Sequence, residues 1–314
     1  MASSTAQPVL SLAPLEERTY IINAFVLAPM FTVLAIVILT ILRRDTKSNN
    51  PYQQYALRCN QIVCVLAAVI FVVQILVCNN LIIAWDYTSS RHRFASLSDS
   101  ILGCAYFAMK LCFYFAFTFH FQSIVYAHDQ SRKMSLAVKL SMLLIAAYDA
   151  AFSVANLYLD IATYTHEEIG VLPHYHIYVV LLFRKENKWN AAMDVAFLAM
   201  LLIDIAYFVV LFYVYVSQAS KIGNGKANAI RGLLLAITSC VFFWIFLLTQ
   251  SFAPSLAPIT SNLDIASDVL CLFVLFPSGS IIYNSICGRL CPKLVSSANY
   301  RQLAQNPTDN DQYL

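Results

Sequence analysis

The chain has 314 residues, of which 60% are hydrophobic and only 12% are charged, and its formal net charge at pH 7 is +3. Its mean hydropathy is +0.65. A soluble domain cannot bury so much apolar surface, so the composition excludes an ordinary soluble protein. It indicates one membrane domain that is surrounded by membrane lipid. We expect no nucleic acid as a partner.

Seven apolar stretches are each long enough to cross a hydrocarbon core about 30 Å thick, which takes roughly 20 helical residues. In chain order they cover residues 21–42, 61–85, 101–127, 137–161, 191–216, 230–252 and 263–286. The apolar run 177–183 is too short to span and predicts a strand of a β-hairpin in the loop before the fifth span. The predicted fold class is therefore an all-α membrane protein, a seven-transmembrane helix bundle.

The distribution of Lys and Arg predicts the orientation of the bundle. With the N-terminus outside, the cytoplasmic loops and tail hold thirteen of these residues and the outer side holds six. The positive-inside rule then favours an N-out, C-in topology. We expect an extracellular N-terminus at 1–20, the bundle at 21–287, a cytoplasmic tail at 288–314, and a multi-pass protein of the plasma membrane.

Three charged residues lie deep within predicted spans. Lys110 is near the middle of the third span, Asp149 of the fourth and Asp204 of the fifth. A lone charge at this depth costs at least about 2.5–3.5 kcal/mol, so none of the three is expected to face lipid. We predict that Lys110 pairs with Asp149 or Asp204. Such a group either fixes the helix register or forms a polar, proton-linked site.

A second acidic group is predicted nearer the outer face. Asp264 and Asp268 are four residues apart and hence share one face of the seventh helix, and Asp194 lies in the outer half of the fifth. With Asp99 they form an acidic vestibule suited to a cationic ligand such as an amine. We interpret Asp264 and Asp99 as helix caps and Asp268 as the residue that contacts the ligand.

Other side chains are assigned from their position in the spans. Trp244, at mid-depth in the sixth span, is predicted to line a cavity. Most of the nine cysteines lie within spans, but Cys287 and Cys291 flank Arg289 just after the last one. Juxtamembrane cysteines beside basic residues are typical of palmitoylation, and two unmodified thiols are the alternative. We expect no metal and no cofactor.

The seventh span ends Pro-Ser-Gly-Ser-Ile-Ile-Tyr at residues 277–283, which resembles a degenerate form of the Asn-Pro-x-x-Tyr ending of G-protein-coupled receptors. Together with seven spans and a long second outer loop, it makes the chain resemble the divergent, serpentine members of that receptor superfamily. The resemblance implies that Tyr283 is a switch residue, that 287–293 begins a short amphipathic eighth helix, and that a heterotrimeric G protein and a small ligand are partners. The third span lacks the family's Asp/Glu-Arg-Tyr motif.

Other functions of seven-helix proteins fit the sequence less well. Retinal proteins need a lysine in the seventh helix, and zinc hydrolases need clustered histidines; the predicted seventh span has no lysine and the sixth and seventh have no histidine. We therefore expect no catalytic activity. The alternative is a proton- or ion-coupled transporter that uses Lys110, Asp149 and Asp204, although no inverted repeat is evident and the chain has only seven glycines.

Overall fold

The computed structural model of the protein describes residues 10–11, 18–19, 21–44, 50–78, 92–128, 134–172, 177–184, 188–219, 225–276 and 279. Seven of the helices in these ranges are long and apolar enough to cross a membrane, which confirms the prediction of seven spans. The predictions for Tyr283, for Cys287 and Cys291 and for an eighth helix at 287–293 lie outside the described residues.

The seven helices follow one another along the chain. Helix α1 consists of a π-helical part, Ile22–Leu27, and an α-helical part, Ala28–Leu42. The others are α2 (Pro51–Cys78), α3 (His92–His128), α4 (Leu136–Thr163), α5 (Lys188–Ala219), α6 (Gly225–Phe252) and α7 (Ala257–Leu275). A 3₁₀ turn, Pro254–Leu256, precedes α7.

Local sequence explains where several of these helices begin. Asn50 caps α2: its Oδ1 accepts a hydrogen bond from the backbone N–H of Tyr52 at 3.0 Å, and Pro51 occupies the first helical position, where no backbone donor is needed. The Asn50 amide also donates to the carbonyl of Ser123 at 2.9 Å, which ties the start of α2 to the end of α3. A proline in the first turn likewise opens α7. Hence α2 and α7 begin before the apolar stretches from which they were predicted.

The helices form a ring that closes between α7 and α1, with α3 in the interior. Each helix packs against the next along the chain, and α7 also contacts α1 and α2. Helix α3 contacts α5, α6 and α7 as well as its sequence neighbours. The outward faces carry large apolar side chains such as Leu143, Val154 and Tyr213, as expected for helices that contact hydrocarbon.

A small three-stranded sheet is formed by the N-terminal segment and the connection between α4 and α5. Its strands are β1 (Leu10–Ser11), β2 (Tyr164–Leu172) and β3 (Ile177–Arg184), in the order β1-β2-β3. Strands β2 and β3 are antiparallel, whereas β1 runs parallel to β2 with Leu10 opposite Gly170. The strand predicted at 177–183 is β3, which pairs with β2 in the predicted hairpin, and β1 adds a third strand that the sequence did not predict.

Candidate functional site

Among the described residues, one lysine and four aspartates are buried inside the helix bundle, and we refer to these five side chains as the charge cluster. They are Lys110 of α3, Asp149 of α4, Asp204 of α5 and Asp264 and Asp268 of α7. Each is at most 3% exposed. The cluster therefore places four carboxyl groups and one ammonium group within the membrane-spanning part of the protein.

The ammonium group of Lys110 pairs with α7. Its Nζ lies 2.9 Å from Oδ1 of Asp264 and 2.7 Å from Oδ2 of Asp268. The two carboxyl groups are four residues apart and so project from the same face of α7, which lets one ammonium group contact both. The prediction that Lys110 pairs with Asp149 or Asp204 is therefore wrong.

Asp264 is not a helix cap. Helix α7 begins at Ala257, whereas the sequence predicted its start at 263, so Asp264 lies about two turns inside the helix. Its carboxyl group also accepts a hydrogen bond from the Tyr106 hydroxyl at 2.7 Å. Asp264 is thus as much a part of the cluster as Asp268.

Asp268 connects three helices. One of its carboxylate oxygens contacts Lys110 of α3, and the other accepts a hydrogen bond from the hydroxyl of Ser239 on α6. Both bonds are buried. A displacement of α7 along its axis would therefore disturb its contacts with α3 and α6 together.

Aromatic rings enclose the Lys110 ammonium group. Its Nζ lies 4.9 Å from the ring centre of Phe243, 5.6 Å from that of Tyr106 and 5.8 Å from that of Phe113. The face of an aromatic ring carries negative charge and at these distances stabilises a cation, the more so when the cation is shielded from water. Sequence reasoning missed Tyr106, Ser239 and Phe243, although the four-residue spacing of Tyr106 and Lys110 places them on one face of α3.

Asp149 and Asp204 differ from the two carboxyl groups on α7. None of their four carboxyl oxygens has a hydrogen-bond partner. The hydroxyl of Tyr114 on α3 lies beside Asp204 without reaching hydrogen-bond geometry. The two carboxyl groups interact electrostatically with each other and with Lys110, but neither forms an ion pair with it.

Of the other predicted site residues, Trp244 does not join the cluster. Trp244 is 41% exposed and lies with Val241, Ile245 and Leu248 among the exposed residues of α6, so the prediction that it lines an interior cavity does not agree with the structure. Its neighbour Phe243 is the α6 aromatic residue that contacts Lys110. Asp194 lies in the first turns of α5, and its side chain is outside the described set.

Further polar contacts connect the helices on either side of the cluster. Asn262 of α7 donates to Asn23 of α1 at 2.6 Å. Towards the opposite end of α7, the guanidinium group of Arg231 on α6 donates to the carbonyl of Val274. The hydroxyl of Tyr215 on α5 donates to Gln122 of α3 at 2.7 Å.

Comparison of the sequence with the models of known protein families and with the curated proteins gives no match. Within the ranges that the structure describes, no group of three or more His, Cys, Asp or Glu side chains is arranged to hold a metal ion. The charge cluster and its place in the bundle are therefore the features of the chain that bear on its function.

Proposed function

We propose that the protein is a seven-helix receptor of the plasma membrane, with its N-terminus outside and its C-terminus in the cytoplasm. An extracellular ligand binds at the outer end of the bundle and changes the packing of the helices. A cytoplasmic partner binds the changed arrangement, and a heterotrimeric G protein is the first candidate for this partner. The ligand is a small molecule, and the acidic character of the cluster favours a cationic one.

The position of Asp268 carries this proposal. A receptor needs a helix whose movement changes contacts with several others at once, and the Asp268 carboxyl group contacts α3 through Lys110 and α6 through Ser239. Helix α3 in turn packs against α5 and α6. A small displacement of α7 would therefore be passed to the helices that surround α3, because packed interfaces shift between discrete arrangements.

The inner end of the bundle has a second connection between α6 and α7. The guanidinium group of Arg231 is bound to the Val274 carbonyl near the last residue of α7. If ligand binding weakened this bond, the start of α6 could move away from α7 and open a surface for the partner. We place that surface between the loops around residues 132–139 and 220–231, with Tyr283 as the switch residue and Cys287 and Cys291 as palmitoylation sites that hold the tail at the membrane.

The receptor proposal is tested by recruitment of mini-G-protein sensors of each subtype in cells that express the full chain. We compare the wild type with Asp268→Asn, which keeps the size of the side chain but removes its charge, and with Tyr283→Ala. Leu270→Ala is the matched control, because Leu270 lies on the exposed face of the same helix. Surface expression is measured for every variant with an N-terminal epitope tag on intact cells, which also tests the N-out orientation.

We expect recruitment by the wild type that Tyr283→Ala abolishes, that Asp268→Asn alters at equal surface expression, and that Leu270→Ala leaves unchanged. Absence of recruitment for every sensor, despite surface expression of the wild type, would contradict coupling to G proteins. An N-terminal tag that is accessible only after permeabilisation would contradict the orientation.

A proton- or ion-coupled transporter is the second candidate, and the unpartnered carboxyl groups of Asp149 and Asp204 favour it. Buried ionisable residues without a structural partner are typical of ion pathways through membranes. Purified protein in liposomes with a trapped pH indicator tests this candidate. Ion or proton flux that Asp149→Asn and Asp204→Asn both abolish would favour the transporter over the receptor.

A further inference from the structure

We infer that Asp149 and Asp204 form a proton-binding site between α4 and α5, separate from the ion pairs that join α3 to α7. The inference concerns proton binding at rest and does not depend on whether the protein is a receptor or a transporter.

The carboxyl groups of Asp149 and Asp204 are buried without hydrogen-bond partners. They are 3% and 2% exposed, and none of their four oxygens has a hydrogen-bond partner. An ionised carboxylate can only accept hydrogen bonds, and none reaches either carboxyl group to replace those of the water it has lost. A neutral carboxylic acid avoids most of that cost.

Within the described residues, the one cation that acts on the two carboxyl groups is already paired. Lys110 is the cation that acts on both carboxyl groups, but its ammonium group already contacts Asp264 and Asp268 at 2.9 and 2.7 Å. One positive charge cannot balance four negative ones. Because Lys110 is paired with the two carboxyl groups on α7, the carboxyl groups on α4 and α5 need another positive charge to be neutralised.

In the part of the chain that the structure describes, several ionisable groups act electrostatically on the pair. Apart from the pair itself, these groups come from α3, α4, α6 and α7: Lys110, Tyr106, Tyr114, Tyr148, Cys240, Asp264 and Asp268. Lys110 is the one cation among them, and the carboxyl groups on α7 add negative charge near Asp204. The surroundings as a whole therefore favour uptake of a proton.

The surroundings of the two carboxyl groups suit a proton better than a metal ion. Two carboxyl groups and the nearby phenol of Tyr114 fall short of the six to eight oxygen ligands of Ca²⁺, and in the described ranges no metal-binding group of three acidic, His or Cys residues occurs. A proton forms a covalent bond to one oxygen and needs no coordination shell. Each carboxyl group takes one proton from water.

The experiment is infrared spectroscopy of the purified full-length protein in detergent, which separates the carbonyl stretch of protonated carboxylic acids from the bands of carboxylates. We compare the wild type, Asp149→Asn, Asp204→Asn and the double variant at neutral pH. Asp264→Asn is the matched control, because it removes a carboxyl group that is paired with Lys110. Isotope-labelled aspartate in the wild type shows independently whether the acid signal belongs to aspartate, so a result is obtained even if a variant does not fold.

We expect an aspartic acid band in the wild type at neutral pH that is reduced in each single variant, lost in the double variant and kept in Asp264→Asn. The melting temperature of the wild type should fall as the pH is raised, because its native state binds protons that the unfolded state releases, and that of the double variant should depend less on pH. No aspartic acid band in the labelled wild type, or a band that the double variant keeps, would overturn the inference. So would a melting temperature that responds to Na⁺ at constant ionic strength and not to pH.

Discussion

Lys110 of α3 and Asp268 of α7 form an ion pair of 2.7 Å in the interior of the bundle, and Asp264, one helical turn away, accepts a hydrogen bond from the same ammonium group at 2.9 Å. The three side chains are fully enclosed by protein. A buried ion pair of this kind adds little stability relative to apolar residues of the same size, but it is expensive to break on one side. Its clearest effect is to fix the position of α7 along α3.

The first prediction concerns the removal of the cation. Lys110→Met leaves two carboxyl groups buried without their partner, and we expect a loss of about 3–5 kcal/mol of stability, which is the usual cost of breaking a buried pair on one side. Thermal unfolding of the purified protein in detergent measures it. Lys139→Met is the control, since Lys139 is exposed on α4, and it should change little.

The identity of the partner carboxyl groups is tested by a second substitution. In the Lys110→Met background, Asp264→Asn or Asp268→Asn should recover part of the lost stability, because each removes an uncompensated charge. Asp149→Asn and Asp204→Asn should recover less, since neither carboxyl group is paired with Lys110. Greater recovery with the α4 and α5 substitutions would contradict the pairing seen in the structure.

The second prediction concerns the hydroxyl group of Tyr106, which donates to Asp264 at 2.7 Å. Hydrogen bonds to charged groups are worth about 1.5–3 kcal/mol, so we expect Tyr106→Phe to destabilise the protein by an amount in this range. Tyr158→Phe removes the same atom from a side chain that is 69% exposed on α4 and should be nearly neutral. Equal effects of the two variants would show that the Tyr106 hydroxyl contributes nothing specific.

The sequence predicted well that the charged residues avoid the outer surface of the bundle, and it predicted their partners poorly. Length and hydropathy alone predict that Lys110, Asp149 and Asp204 lie near the middle of their spans, where a charge should not face lipid, and the structure buries all three inside the bundle. The rotation of each helix about its own axis decides which of them meet. That rotation depends on packing between helices distant in the sequence, such as α3 and α7, which no local pattern reveals.

The start of α7 shows a second limit of the sequence. The segment before residue 263 contains Pro258, Thr260, Ser261 and Asn262, which are typical of a loop, so the helix was predicted to begin later than Ala257. In the structure the hydroxyls of Thr260 and Ser261 bond to carbonyls within the same turn, and Asn262 bonds to α1. The hydroxyl groups and the Asn262 amide nitrogen thus form bonds inside the helix or to α1 that compete with a loop, while Oδ1 of Asn262 accepts none. As a result Asp264 lies inside the bundle and not at the helix start.

The third prediction concerns the close approach of α6 to α3. A Cβ atom at Gly232 would lie 2.6 Å from Cζ of Phe121, and the Phe121 ring is held by stacking on Tyr215 at 5.7 Å. We expect Gly232→Ala to cost about 1–3 kcal/mol through overpacking, as measured by thermal unfolding. Gly103→Ala is the control, because its Cβ would meet the Asn156 side chain at an ordinary 3.5 Å.

Relief of the clash provides a further check on the Gly232 result. The double variant Gly232→Ala, Phe121→Leu should be less destabilised than the sum of the two single changes, because the smaller side chain makes room for the added methyl group. Strict additivity would mean that the cost of Gly232→Ala arises elsewhere. Gly103→Ala combined with Phe121→Leu should be additive, since the two sites share no contact.

The fourth prediction concerns the closure of the ring between α1 and α7. The amide of Asn262 donates to Oδ1 of Asn23 at 2.6 Å, and both side chains are buried. Hydrogen bonds between membrane helices contribute about 0.6 kcal/mol on average and up to about 1.7 kcal/mol in double-mutant cycles. We expect a coupling energy within this range when Asn23→Ala and Asn262→Ala are measured singly and together.

A parallel cycle of Asn262→Ala with Tyr158→Phe should show no coupling, because Tyr158 lies on the outer surface of α4. A coupling near zero in the first cycle would mean that apolar packing alone closes the ring.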